Sequence, residues 1–236
     1  MNLVLNKHIQ FIDLGLIDYQ QAWDYQTDLF SKNLEIKKQN RDLPTNEQLL
    51  TSNYLLFCEH PHVYTLGKSG DEKNLLVKKE ALHTIQASYY AINRGGDITY
   101  HGPGQLVIYL VIDLENFFTD IHQYMRLLEE AVIQTLAAFQ ISAGRIKGLT
   151  GVWIDFENGA PRKICALGVK TSRWITMHGL ALNVNTDLNY FNHIVPCGID
   201  DKAVTSIEKE LASNVDMSLV KSMVKSKIVS LFGMRI

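Results

Sequence analysis

Apolar and polar residues alternate along this chain with periods that change every ten to twenty residues, and the changes mark its elements. Apolar runs at Leu3-Val4-Leu5 and Phe11-Ile12 predict an edge strand within the first thirteen residues. Asp18 is placed to cap a helix in which Ala22, Trp23, Leu29, Phe30 and Leu34 recur at roughly helical spacing. The charged continuation 35–41 reads as the solvated end of that helix, and 42–47, with Pro44 and Asn46, as a loop. Residues 54–58 and 63–67 read as two buried strands parted by Glu59-His60-Pro61-His62. A polar loop at 68–73 and a short helix at 75–85 follow.

Residues 88–93 form a strand-like run and 106–112 a longer, wholly apolar one. Met125, Leu128, Ala131, Val132, Leu136 and Phe139 predict an amphipathic packing helix over 121–139. A strand at 151–156 ends in the turn signal Glu157-Asn158-Gly159, and 163–173 with 175–185 form a second apolar strand pair. Residues 188–195 read as helical, and 217–232 as a closing amphipathic helix. Strands and helices interleave without regular β-α-β alternation, which predicts an α+β protein with a mixed sheet flanked by helices. No repeat, low-complexity tract or linker interrupts it, so 1–236 reads as a single domain.

Composition narrows the picture mainly by exclusion. With 46% hydrophobic and 20% charged residues the chain can bury a sizeable core. A formal net charge of −2 marks no nucleic-acid or membrane binder. No signal core or apolar run of membrane-spanning length is present. Three scattered cysteines, Cys58, Cys165 and Cys197, suit a reducing compartment, and the expected location is cytoplasmic.

The densest candidate chemistry lies in 94–105, RGGDITYHGPGQ, with four glycines, a proline, a histidine and an arginine in twelve residues. Set between two strands, it reads as a glycine-rich turn, and one built to let the backbone approach a ligand. Neither G-x-G-x-x-G nor a Walker lysine spacing is present, so it is no nucleotide fingerprint. His60 and His62 invite a metal reading, but no acidic or thiol partner recurs at a ligand spacing, and no metal is expected. Cys197, in a Pro-Cys-Gly turn, can expose its sulfur where Cys58, inside an apolar strand, cannot; it reads either as a nucleophile or as a small buried residue. Lys163 opens an apolar strand, where its amine reaches a site or simply snorkels to water. His101 and His178, each before a glycine, are placed to line a pocket, and the pattern leaves their roles open.

Taken together, Glu59-His60-Pro61 with Tyr64-Thr65-Leu66-Gly67, then RGGDITYHGPGQ, RKICALGVK, HGLALNVN and PCGI, in this order, resemble the octanoyltransferase (lipoyl(octanoyl) transferase) family. The resemblance implies the fold of the biotin and lipoate protein ligase catalytic domain. It implies transfer of an octanoyl group from acyl carrier protein to a lysine of lipoyl domains, those of 2-oxoacid dehydrogenase E2 subunits and of the glycine cleavage H protein. The route implied is a thioester on Cys197, with Lys163 lowering that thiol's pKa, in a monomer needing no cofactor. Acyl contacts are implied for Arg94, Gly95, Gly96, Asp97, Ile98, Thr99, Tyr100 and His101, for Ala166, Leu167 and Gly168, and for Gly179, Leu180 and Ala181. The apolar run 106–114, with Leu167, is expected to wall the slot for the chain. Two departures stand out: 31–53 is longer and more charged than the compact family pattern, and Asp97 occupies a position expected to vary. On the same fold the alternatives are an ATP-dependent lipoate or biotin ligase, an octanoyl amidotransferase, and a non-catalytic binder of lipoyl domains.

Overall fold

The computed structural model describes residues 5–157, 159–195 and 203–236. In chain order the elements are β1 (Ile9–Leu16), α1 (Tyr19–Gln39), β2 (Asn53–Glu59), β3 (Val63–Leu66), β4 (Ser88–Ala91), β5 (Ile98–His101), β6 (Gln105–Val111), α2 (Ile121–Ala138), β7 (Val152–Ile154), β8 (Arg162–Ser172), β9 (Ile175–Asn183), β10 (Ala203–Val204), α3 (Ile207–Leu211) and α4 (Met217–Phe232). Two sheets result. Among the described residues the larger has seven strands in the order β1-β2-β6-β9-β8-β10, with β7 also on β8, and mixes parallel and antiparallel pairs. The smaller, β4-β3-β5, has three.

Asp18 caps α1 as expected, its carboxylate accepting the N–H groups of Gln20 and Gln21. Asp120 and Asp216 do the same for α2 and α4. The alternation of β6 then decides the layers. Leu106, Ile108 and Leu110 point to one side of the sheet, into a core shared with Leu128 and Val132 of α2 and Val224 and Ile228 of α4. Val107, Tyr109 and Val111 point to the other, where α1 covers them through Ala22, Leu29 and Phe30.

Three expectations need correction. Residues 94–105 are not a single turn between paired strands: 98–101 is itself the strand β5, antiparallel to β3, and β4 and β6 belong to different sheets. The glycines on either side obscure a four-residue strand whose alternation is too short to register as periodic. Instead of a regular helix, 75–85 holds an extended stretch and the 3₁₀ segment Lys79–Ile85, which has no side-chain N-cap bond. Residues 188–193 are likewise 3₁₀. The long charged segment folds back on the molecule. Asn33 and Ser52 exchange two hydrogen bonds (2.8 and 3.0 Å), and Asn40 and Leu49 two more at 2.8 Å each.

Candidate active site

A cavity of about 390 Å³ lies between the two sheets. Its walls come from the glycine block, from β5 and β6, and from the facing stretches of β8 and β9. The block is held from both sides by backbone bonds. The Lys68 N–H donates to the Arg94 carbonyl (3.0 Å) and that of Ser69 to Gly96 (3.2 Å), while the Gly95 N–H donates to the Val169 carbonyl of β8 (2.9 Å). Past Cys165 the edge of β8 used by β7 carries no strand among the described residues, so the block occupies an otherwise open edge. Glycine is required at the crossing. A Cβ on Gly168 would stand 2.8 Å from the Gly95 carbonyl oxygen, and one on Gly67 would collide with the Gly96 carbonyl.

Of the residues implied to contact the acyl group, Arg94, Gly95, Gly96, Asp97, Ile98, Thr99, His101, Ala166, Leu167, Gly168, Gly179, Leu180 and Ala181 line this cavity. Tyr100 does not. On a strand, neighbours face opposite ways, and Tyr100 turns from the cavity into the cluster of Tyr64, Ile98 and Leu82, with its hydroxyl 2.8 Å from His62 Nδ1. Lys163 lines the cavity, paired in register with Trp153 of β7 and Val204 of β10. Its ammonium sits 4.6 Å from the Trp153 ring, and its stem passes 3.3 Å from where a Cβ on Gly151 would be. Cys197 lies outside the described residues. Of the run 106–114, only Val107 and Tyr109 reach the cavity, because Leu106, Ile108 and Leu110 are turned into the core.

The polar residues around the cavity are fixed by hydrogen bonds. Arg94 donates to the Thr65 carbonyl (2.7 Å), the Thr65 hydroxyl (3.0 Å) and the Gly95 carbonyl (3.0 Å). His101 Nδ1 donates to Gln105 Oε1 (2.7 Å), and Gln105 Nε2 donates to Asn183 Oδ1 (2.9 Å) and the Tyr100 carbonyl (3.1 Å). Asn183 in turn donates to the Thr205 carbonyl (2.9 Å), beside β10. His178, with a left-handed φ of 66°, donates from Nε2 to Asn93 Oδ1 (3.0 Å), and its N–H donates to Gln26 of α1 (3.1 Å). Both histidines are neutral: burial, helped by nearby cationic groups, pushes each down to about 3.

His60, behind the cavity, is no free ligand. Its Nδ1 donates to the Ile17 carbonyl (2.8 Å), leaving Nε2 to accept from the Tyr109 hydroxyl (2.7 Å), and burial pushes its pKa down to about 4. Among the described residues no group of three or more His, Cys, Asp or Glu is placed to hold a metal. Burial pushes the thiols of Cys58 and Cys165 well up, so neither supplies a thiolate.

Several lining residues carry no local signal in the sequence. Tyr19, Leu149 and Phe191 come from three separate places and meet only in the folded chain. The loop with Gly148, Leu149 and Thr150 is held by the fully buried carboxylate of Glu129 on α2. That carboxylate accepts from Arg126 (2.6 Å), Arg145 Nε (2.9 Å) and the Gly151 N–H (3.1 Å).

Two packed sheets enclosing an apolar slot, with a lysine on its wall, define the class. Residues 18–229 match the model of the lipoyl protein ligase A/B catalytic domain. The fold is similar to a bipartite lipoate protein ligase from Thermoplasma acidophilum (TM-score 0.69, 15% identity, covering 98% of this chain and 86% of that one). It is similar too to a lipoate-protein ligase A bound with ATP (TM-score 0.66, 15% identity, 98% and 87%). At such identities the likeness concerns the fold alone. Octanoyltransferases of Cytophaga hutchinsonii (63% identical over 232 residues, 98% of this chain and 95% of the relative) and Flavobacterium johnsoniae (56% over 233 residues, 97% and 98%) are far nearer in sequence. The chain belongs to the octanoyltransferase family. No helix among the described residues is long and apolar enough to cross a membrane.

Proposed function

We propose that this protein moves an octanoyl group from acyl carrier protein to a lysine amine of lipoyl domains, including those of 2-oxoacid dehydrogenase E2 subunits and the glycine cleavage H protein. It does so as a cytoplasmic monomer through a thioester on Cys197. The observation that carries this reading is the cavity: a slot floored by Gly168, Gly179, Ala166 and Ala181, with Lys163 on its wall. Burying an eight-carbon tail there contributes several kcal/mol at about 0.8 kcal/mol per methylene.

The Cys197 thiolate attacks the donor thioester carbonyl, the bond to the carrier sulfur breaks, and the carrier leaves as a thiol by taking the proton of the Lys163 ammonium, which becomes neutral. Exchanging one thioester for another is nearly balanced, so the protein supplies a ready thiolate and a held geometry. Protonated Lys163 favours that thiolate by charge pairing. Acylation removes the negative charge, and Lys163 in its neutral form then accepts the proton of the incoming lysine amine. That amine attacks the acyl carbon, the amide forms, and Cys197 leaves as thiolate. Backbone N–H groups of the glycine-rich turns are candidates to bind the tetrahedral oxyanion. His101 and His178, held neutral, orient groups and do not donate from an imidazolium.

Intact-mass measurement after incubation with octanoyl-loaded acyl carrier protein, without ATP or acceptor, tests the route. An octanoyl adduct on the wild type, absent in Cys197→Ala, is expected. Labelling that appears only with free octanoate and ATP would replace the transferase by a ligase.

A further inference from the structure

Asp97 lies in the block that lines the cavity, yet its carboxylate is directed elsewhere. Oδ1 accepts the Ile98 N–H at 2.6 Å, and Oδ2 accepts from Asn74 Nδ2 at 2.6 Å. Gly70 leaves the room for this, since a Cβ there would stand 2.5 Å from Oδ1. Asn74 closes the short 3₁₀ turn Glu72–Asn74, and its carbonyl accepts the Val195 N–H at 2.8 Å. The adjoining backbone repeats the contact: the Leu76 N–H donates to the His193 carbonyl at 2.9 Å, and Leu75 bridges Ile194. Val195 is two residues before Cys197, about 7.6 Å of chain at most.

We propose that Asp97 and Asn74 form a positioning pair that registers the segment leading to Cys197 against the acyl-binding block. The inference rests on the reading of Cys197 as the acylated residue. A charge-assisted bond from an amide to a carboxylate fixes both distance and direction. Asp97 is anchored by its own Ile98 bond and by backbone bonds to 67–69, so Asn74 is the member that the pair holds in place. The glycine block and the nucleophile's segment are thereby set by one contact, although neither touches the other through it. Asp97 acts through Asn74 and not on the acyl chain.

The test is the rate of acyl-enzyme formation from octanoyl-acyl carrier protein, followed by quenched intact-mass measurement over a range of donor concentrations, with melting curves for each variant. Asp97→Ala and Asn74→Ala should slow acylation about tenfold or more, with the donor half-saturation within about twofold of wild type. Asn74→Asp sets two carboxylates face to face and should be slower still. The exchanged pair, Asp97→Asn with Asn74→Asp, rebuilds the bond in reverse, because the amide placed at position 97 donates to the new carboxylate and still offers its oxygen to the Ile98 N–H. That double variant should return to within about threefold of wild type. Asp97→Ala acylating at the wild-type rate would overturn the inference. So would a raised half-saturation at unchanged maximal rate, which marks a substrate contact, or an exchanged pair no faster than Asn74→Asp. A wild type that takes no octanoyl group removes the thioester reading and this inference with it; a competent wild type with an indifferent Asp97→Ala removes the inference alone.

Discussion

The two sides of β6 carry opposite instructions in the same seven residues. Leu106, Ile108 and Leu110 are fully buried against α2 and α4, where large aliphatic side chains interdigitate and leave no room. Val107 and Tyr109, between them in sequence, face a side that α1 covers only in part and that Ala166, Gly168, Gly179 and Ala181 on the neighbouring strands keep open beyond it. Volume is what distinguishes the sides. Helices fill the first, and on the second small residues hold open the space that a second sheet and its glycine block then roof. A central strand can serve stability on one face and binding on the other because successive side chains answer to different neighbours.

The sharpest way to break this contrast is on the hollow side. Lys163→Ala should lower octanoyl transfer to a lipoyl domain by about a thousandfold or more in steady-state assays, with urea unfolding little changed. Ile108→Ala, on the filled side, should do the reverse. It should cost about 3–4 kcal/mol of stability in urea titration, with turnover per folded molecule retained. Ala181→Val narrows the slot without opening a void, and is expected to shift preference toward shorter acyl donors by about tenfold in kcat/KM competition assays.

A pH slope gives the last comparison. His60, His101 and His178 are buried neutral, with pKa values pushed down to about 4, 3 and 3, whereas unfolded they titrate near 6.5. Between those limits the unfolded chain binds more protons, so stability is full above about pH 6.5 and falls as the solution is acidified. Each group adds at most about 1.4 kcal/mol per pH unit. Melting temperatures measured from pH 7 to pH 4.5 should decline, and less steeply in His101→Gln.

Much of this organisation is legible in the sequence where one element decides it. The cap at Asp18, the apolar run of β6 and the spacing of α2 are local signals, and they correspond to observed elements. The glycine block stands out for the same reason, although its inner strand β5 is masked by the glycines around it. The two-residue strand β10 and the five-residue helix α3 are too short to show a period. What composition and spacing cannot carry is convergence. Tyr100 and His101 are adjacent in sequence, but strand parity sends one into an aromatic cluster and leaves the other at the cavity. Glu129 reads as one more polar position on an amphipathic helix, and only the fold shows it tying down the loop beside Lys163. The excess length of 31–53 gives no sign in the sequence of whether it packs on the domain or reaches outward, whereas in the fold Asn33 and Asn40 hold it against the molecule.

The bonds from Val195 to Asn74 and from Leu76 to His193 join parts of the chain separated by roughly half its length. Contacts that close so long a loop bear a large entropic cost before they are rewarded, and they form late in folding. By this measure the approach to Cys197 is expected to assemble late, as is the packing of α2 on α4, which joins parts of the chain nearly as far apart. A refolding chain should bury Trp153 and regain its fluorescence before it can be acylated.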